Sequence, residues 1–125
     1  MRNWTHRALG ITSAAALFGT LVVGAAVAAE LISQADMEKA FKGKTFKTHD
    51  FGEDGTVTFG EDGKIHIKLQ TKADDGTYRF AYDGYCETWT KLRATEECFK
   101  ASKVGAHQYQ LWTTMGAEDA PLTVQ

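Results

Sequence analysis

Thr77-Tyr78-Arg79-Phe80-Ala81-Tyr82-Asp83-Gly84-Tyr85-Cys86-Glu87-Thr88-Trp89 is the stretch that decides how this chain folds. Aromatic side chains occupy alternate positions on either side of an Asp-Gly pair, the period-two pattern of strands with one buried face. Asp-Gly supplies the positive φ angles of a tight hairpin. Taking Asp83-Gly84 as a two-residue loop pairs Tyr82 with Tyr85, Phe80 with Glu87 and Tyr78 with Trp89. Opposed residues share a face of the sheet. One face then carries Tyr78, Phe80, Tyr82, Tyr85, Glu87 and Trp89. The other carries Thr77, Arg79, Ala81, Cys86, Thr88 and Thr90.

The next hairpin follows from the two cysteines, Cys86 and Cys98, which lie close in sequence and are the full complement of the chain. An even count in an exported protein predicts a disulfide, and closing so short a loop stabilises the fold by roughly 3 kcal/mol. Pairing Cys86 with Cys98 sets Glu87 opposite Glu97 and Tyr85 opposite Phe99. A three-residue loop containing Gly105 then sets Phe99 against Leu111 and Ala101 against Tyr109, so one aromatic face runs across four strands as the predicted interior. Metal binding by the same cysteines requires further Cys or His at ligand spacing, and none is close in sequence.

The alternation extends upstream through Val57 and Phe59 and through Ile65, Ile67 and Leu69. Eight strands are predicted, near 45–51, 56–60, 64–70, 77–82, 85–91, 96–103, 107–113 and 121–124. Asp-Gly recurs at Asp54-Gly55, Asp62-Gly63 and Asp75-Gly76, and each pair is read as a turn. The acidic repeat Phe51-Gly52-Glu53-Asp54-Gly55 and Phe59-Gly60-Glu61-Asp62-Gly63 lacks the spaced ligands of a calcium loop, so both copies are read as turns. Pro121 opens the last strand, where its missing N–H does little harm. Short links favour an up-and-down meander closing into a small barrel or curled sheet. Before it, Ser33 caps a short helix with Asp36 three residues on, Ile32 and Met37 bracket the cap, Met37, Ala40 and Phe41 form one apolar face, and Gly43 stops it. That helix is predicted to close one end of the barrel.

Residues 1–29 have the layout of a secretory signal peptide. Arg2 and Arg7 precede an apolar run from Ala14 to Val27, and Ala26, Ala28 and Ala29 offer a small-residue cleavage site. The run is short for a membrane span. Residues 30–125 are thus expected as one domain in the periplasm or outside the cell, with no membrane insertion after cleavage. Losing Arg2 and Arg7 takes the formal net charge from −2 to about −4. With no basic cluster left, a nucleic-acid partner is disfavoured.

Glu87 and Glu97 stand out, because two opposed carboxylates on an aromatic face repel. The first expectation for such a pair is a bulge that re-aims one of them, or a place at the wet barrel rim. The functional alternative is a polar centre in a ligand pocket lined by Tyr78, Tyr82, Tyr85 and Trp89, taking a cation, an amine or a hydroxyl. Burial there raises at least one of the two pKa values. Arg79 and Lys91 are read as solvated. His49, His66 and His107 fall on separate strands without a shared face, so neither a metal site nor any other cofactor is implied. Trp112, beside the inward Leu111, is expected outside or under the helix, where it can serve a partner surface. No nucleophile elbow, phosphate loop or dinucleotide fingerprint is present, no catalytic residue is assigned, and a binding role is favoured over an enzyme.

Gly43-Lys44-Thr45 after a Ser-initiated helix, the Asp-Gly turns, Gly84-Tyr85-Cys86-Glu87-Thr88-Trp89 and Glu96-Glu97-Cys98-Phe99 together resemble a group of small exported Gram-negative bacterial proteins of unknown function. The resemblance spans most of residues 30–125 and implies a helix followed by a lipocalin-like β-meander. A weaker similarity is to the small periplasmic inhibitors of lysozyme, whose inhibitory loop motif is not recognisable here, so no residue role carries over. Two functions follow as expectations: a binding module for a small apolar or amphipathic ligand, or a protein-interaction module such as an inhibitor or accessory factor of a cell-envelope enzyme.

Overall fold

A computed structural model describes residues 30–125. The expected signal peptide, residues 1–29, lies outside the described residues. Helix α1 (Gln34–Phe41) precedes strands β1 (Lys44–Asp50), β2 (Glu53–Phe59), β3 (Lys64–Leu69), β4 (Ala73–Ala81), β5 (Gly84–Trp89), β6 (Glu97–Gly105), β7 (Gln108–Thr113) and β8 (Glu118–Val124). Each strand pairs antiparallel with the next, and β8 returns to β1, closing the barrel. Among the described residues no helix is long and apolar enough to cross a membrane.

Local chemistry places α1. The Ser33 hydroxyl accepts the Asp36 N–H at 3.1 Å, and Gly43, at φ +75°, lets the chain turn into β1 while its N–H donates to Phe59 O. Met37 and Phe41 are fully buried. The Phe41 ring lies 5.1–5.3 Å from the rings of Phe46, Phe59 and Tyr109, so the helix plugs one end of the barrel as its apolar face predicted. Just before it, the Ile32 N–H donates to Ala101 O, and Leu31 bridges to Ser102 along the part of β6 that β5 does not reach.

The interior is the predicted aromatic face, in a register displaced by two. The loop between β4 and β5 is Tyr82-Asp83, with φ +53° and +59°, so Phe80 faces Tyr85, Tyr78 faces Glu87 and Gly76 faces Trp89. A displacement of two preserves which face each side chain takes. Tyr78, Tyr85, Glu87 and Trp89 therefore remain inside, whereas Tyr82 moves from the predicted interior to the turn and is 69% exposed. The Cys86–Cys98 disulfide is formed, and it sets Glu87 against Glu97 and Tyr85 against Phe99 as its spacing implied. In the following hairpin a bulge at Val104 and a turn at Ala106-His107 bring Ala101 opposite Leu111 and Phe99 opposite Thr113. The predicted Phe99–Leu111 and Ala101–Tyr109 pairs give way to these.

Of the four Asp-Gly pairs, Asp62-Gly63 lies in a turn as expected, Gly84 opens β5 with the turn one residue earlier, and the other two pairs lie inside strands. Gly55 lies within β2 and Gly76 within β4, and a Cβ on either would sit 2.0 Å from a carbonyl oxygen of the neighbouring strand, Lys68 O or Thr88 O. Glycine there permits the close approach of backbones in a tightly curved barrel. The β1–β2 turn falls instead on Phe51-Gly52, at φ +47° and +80°. β8 begins at Glu118, so Pro121 sits within the strand, beside a second irregularity of register, and does not open it.

Candidate functional site

Strand directions put the end opposite α1 at Asp50, Leu69, Ala73, Trp89, Glu97, Thr113 and Glu118, and we call this end the mouth. The chemistry of the molecule concentrates there. Glu87 is 4% exposed, and its carboxylate accepts the Trp89 indole N–H at 3.0 Å, the Tyr85 hydroxyl at 3.2 Å and an Arg93 guanidinium N–H at 2.9 Å. Arg93 comes from the segment Thr90–Glu96 that links β5 to β6. Its other terminal nitrogen pairs with Glu97 at 2.7 Å, and its guanidinium carbon lies 5.7 Å from the ring centres of both Phe51 and Phe99. One guanidinium between two opposed carboxylates, flanked by two aromatic faces, removes the repulsion the sequence pattern raised. Neither first expectation holds for Glu87: no bulge re-aims it and it is not at the rim. Glu97 is half-buried beside Arg93.

Asp74 organises this segment. Buried on the inner face of β4, it accepts the Lys91 and Leu92 N–H groups at 2.7 and 2.9 Å, folding the chain back across the mouth so that Leu92 packs on the core. The Trp89 N–H donates to Arg93 O, and Thr90 donates to Asp75 O from both its N–H and its hydroxyl. Burial pushes the Asp74 carboxyl up, but the donated N–H groups of Leu92, Lys91 and Asp75 outweigh it and hold the group below its ordinary value.

The other mouth carboxyls move the opposite way. Burial pushes Glu87 up to about 7, and the donors from Trp89, Arg93 and Tyr85 offset only part of that cost. Asp50 is raised to about 6 by burial and by the charge of Asp119, and burial also raises Asp119. Burial and the neighbouring Glu87 push the Tyr85 hydroxyl well above its ordinary value, so it remains a neutral donor. Thr48, one inward position below Asp50 on β1, is 7% exposed, and its hydroxyl has no hydrogen-bond partner among the described residues.

The remaining predicted residues do not join this cluster. Tyr78 is buried at the helix-plugged end, where its hydroxyl donates to Gly60 O at 2.6 Å. Tyr82 stands outside with the Arg79 guanidinium over its ring, and Arg79 makes a two-point ion pair with Glu96. Trp112 is half-buried on the outer surface, its indole N–H donating to the buried Ser102 hydroxyl at 2.8 Å. His49 and His66 pair separately with Asp54 and Asp75 across adjacent strands. Cys86, Cys98 and Glu96 converge, but the sulfurs are bonded to each other and hold no ligand position. Among the described residues no other group of three or more His, Cys, Asp or Glu side chains converges at metal-ligand distance.

Sequence reasoning found Glu87, Glu97 and the aromatic floor. It missed Arg93, Asp50, Asp74, Phe51 and Asp119. The opposed glutamates demand a cation, and the short link between their strands carries two, Lys91 and Arg93, of which the structure uses Arg93. No family model, curated protein or solved structure matches the chain.

Proposed function

We propose that the chain is an exported protein-interaction module of the cell envelope, an inhibitor or accessory factor of an envelope enzyme, built on a lipocalin-like meander after residues 1–29 are removed. A single observation carries this reading: side chains fill the barrel from one end to the other. Phe41, Phe46 and Phe59 occupy the helix end, Tyr85, Phe99 and Trp89 the middle, and Leu92 with Arg93 the mouth. A carrier of small apolar ligands keeps an apolar hollow, with a few polar groups to orient its cargo. Here the hollow is occupied, and the recognition chemistry lies on the surface.

The mouth is the favoured contact face. Met115 projects from the β7–β8 turn at 93% exposure, with the exposed Glu118 and Asp119 beside it in sequence and the carboxylates Asp50 and Glu97 around the same end. An apolar tip among acidic groups suits a basic partner surface. Trp112, near the end of β7, extends the same face along the outer wall.

The second reading, a small amphipathic ligand, rests on Glu87 alone and requires the Thr90–Glu96 segment to move aside. Native mass spectrometry of the protein isolated from the exported fraction of its producing cells separates the two. A complex with a protein chain, lost in a Met115→Asp/Glu118→Lys variant that keeps the fold, is the expected result. A stoichiometric small molecule retained by the folded barrel refutes the interaction reading and favours the ligand.

A further inference from the structure

We infer that the groove between the start of α1 and the β6–β7 hairpin is a binding site for a small organic carboxylate on a short apolar stem. The groove lies at the helix end of the barrel, away from the mouth, and stands apart from the partner surface proposed there.

Its volume is about 330 Å³, within the range of small-molecule sites, and it is lined by Ile32, Asp36, Lys39, Ala40, Lys103 and Tyr109. Local structure brings these residues together. Asp36, Lys39 and Ala40 fall at i, i+3 and i+4 along one side of α1. The Ile32 N–H donates to Ala101 O and fixes the lead-in to the helix against β6. Lys103 opposes Tyr109 in the β6–β7 pairing, so their side chains share a face.

Tyr109 carries the argument. It is 8% exposed, with its ring 5.3 Å from that of Phe41 and 6.2 Å from that of Phe46 in the core. Of the three buried tyrosines, Tyr78 donates to Gly60 O and Tyr85 to Glu87, whereas the Tyr109 hydroxyl has no partner among the described residues. A polar group on so deeply seated a side chain is ordinarily hydrogen-bonded, and this one opens on the groove. Lys39 and Lys103 beside it make no ion pair among the described residues. Glu38, the acid adjoining Lys39, is taken by Lys42 at 3.8 Å. Two ammonium groups and a free hydroxyl are donors that suit an anion. Asp36 set against the two lysines leaves a single net positive charge, which matches a monoanion and disfavours a dianion. The groove runs on past Lys103 to Glu30, whose like charge confines the ligand carboxylate to the Tyr109 side. Ile32 and Ala40, packed on the core, form the wall for the apolar stem.

An NMR titration of backbone amides, on isotope-labelled protein produced from the full 125-residue sequence, tests the site with hexanoate, hexanol and inorganic phosphate. Hexanoate is expected to shift the Lys39, Ala40, Lys103 and Tyr109 amides saturably with a Kd of about 1 mM, while the Trp89 amide at the mouth stays in place. Hexanol and phosphate should each bind at least about tenfold more weakly, the first lacking the charge and the second the stem. Tyr109→Phe keeps the ring in the core and removes the donor, and Lys103→Gln removes one charge; each should weaken hexanoate by about fivefold to tenfold. Asp36→Asn should narrow the gap between phosphate and hexanoate. Hexanol binding as tightly as hexanoate overturns the inference, as does the lack of a saturable shift at these amides up to about 50 mM. Unchanged affinity in both Tyr109→Phe and Lys103→Gln also overturns it. The comparison of the three probes on the wild type needs no variant to fold. A millimolar ligand dissociates on isolation, so its presence or absence does not enter the native mass spectrometry of the partner complex.

Discussion

Replacing Arg93 by methionine tests whether the mouth is held by charge or by packing. Methionine keeps an unbranched apolar stem against Phe51 and Phe99 and deletes the guanidinium that bonds Glu87 and Glu97. Above pH 7 Glu87 is largely ionised, and the variant leaves it with only the Tyr85 and Trp89 donors. Breaking a fully buried ion pair costs about 3–5 kcal/mol. The Arg93 side chain is 26% exposed, so solvent screening lowers the expected loss to about 2–3 kcal/mol at pH 8. At pH 5 Glu87 carries its proton, and the cost shrinks to the half-exposed Glu97 pair, about 1 kcal/mol or less. The wild type sets the baseline. Its Glu87 pKa is raised on folding, so the stabilisation it contributes is complete below 4.5 and is lost as pH rises through 7, by about 3 kcal/mol at most. Removing Arg93 raises that carboxyl further and extends the loss to higher pH. Urea unfolding followed by Trp fluorescence at pH 5 and pH 8 measures both proteins under one protocol. Equal losses at the two pH values, or a larger loss at pH 5, would refute the charge argument.

Asp74→Ala strips the acceptor from three N–H groups, those of Asp75, Lys91 and Leu92, and should cost about 2–3 kcal/mol at pH 6. Because the Asp74 pKa is lowered on folding, its contribution is present above the ordinary value of 3.8 and is lost on acidification through its folded value, so the penalty should fade in acid titrations of the variant against wild type. Phe41→Ala empties the helix plug and should lower stability by about 3–5 kcal/mol in the same urea assay. Gly76→Ala places a Cβ 2.0 Å from Thr88 O and should destabilise by more than about 2 kcal/mol; a thermal midpoint within 2 °C of wild type would contradict the close approach of β4 and β5.

How much of this was legible depends on which physical rule governs each residue. Side-chain alternation depends only on parity, so the inward row of Tyr78, Tyr85, Glu87, Trp89 and Phe99 could be read without the true register. The disulfide added a covalent constraint, and the β5–β6 pairing it predicts is the one observed. Turn placement was less readable because glycine serves two purposes. At Gly63 it supplies a positive φ, whereas at Gly55 and Gly76 it clears space for a neighbouring carbonyl, and an Asp-Gly pair looks the same in both roles. Tyr82 was misplaced for this reason, since a tyrosine and an aspartate took the left-handed turn positions and glycine opened the next strand.

The mouth shows why a site can be half visible in a sequence. Glu87 and Glu97 could be paired because strand pairing is local, and their repulsion pointed to a missing cation. The position of Arg93 follows from Asp74, which lies 17 and 18 residues from the two N–H groups it captures. No pattern within the link itself encodes that bond. Asp50 and Asp119 come nearer only when β8 closes on β1, the contact of longest sequence separation in the barrel. Closure therefore brings further carboxyls toward a pair of glutamates that the single charge of Arg93 half neutralises. That surplus makes the mouth responsive to protons, and it arises from topology acting on residues that are each unremarkable in their own strand.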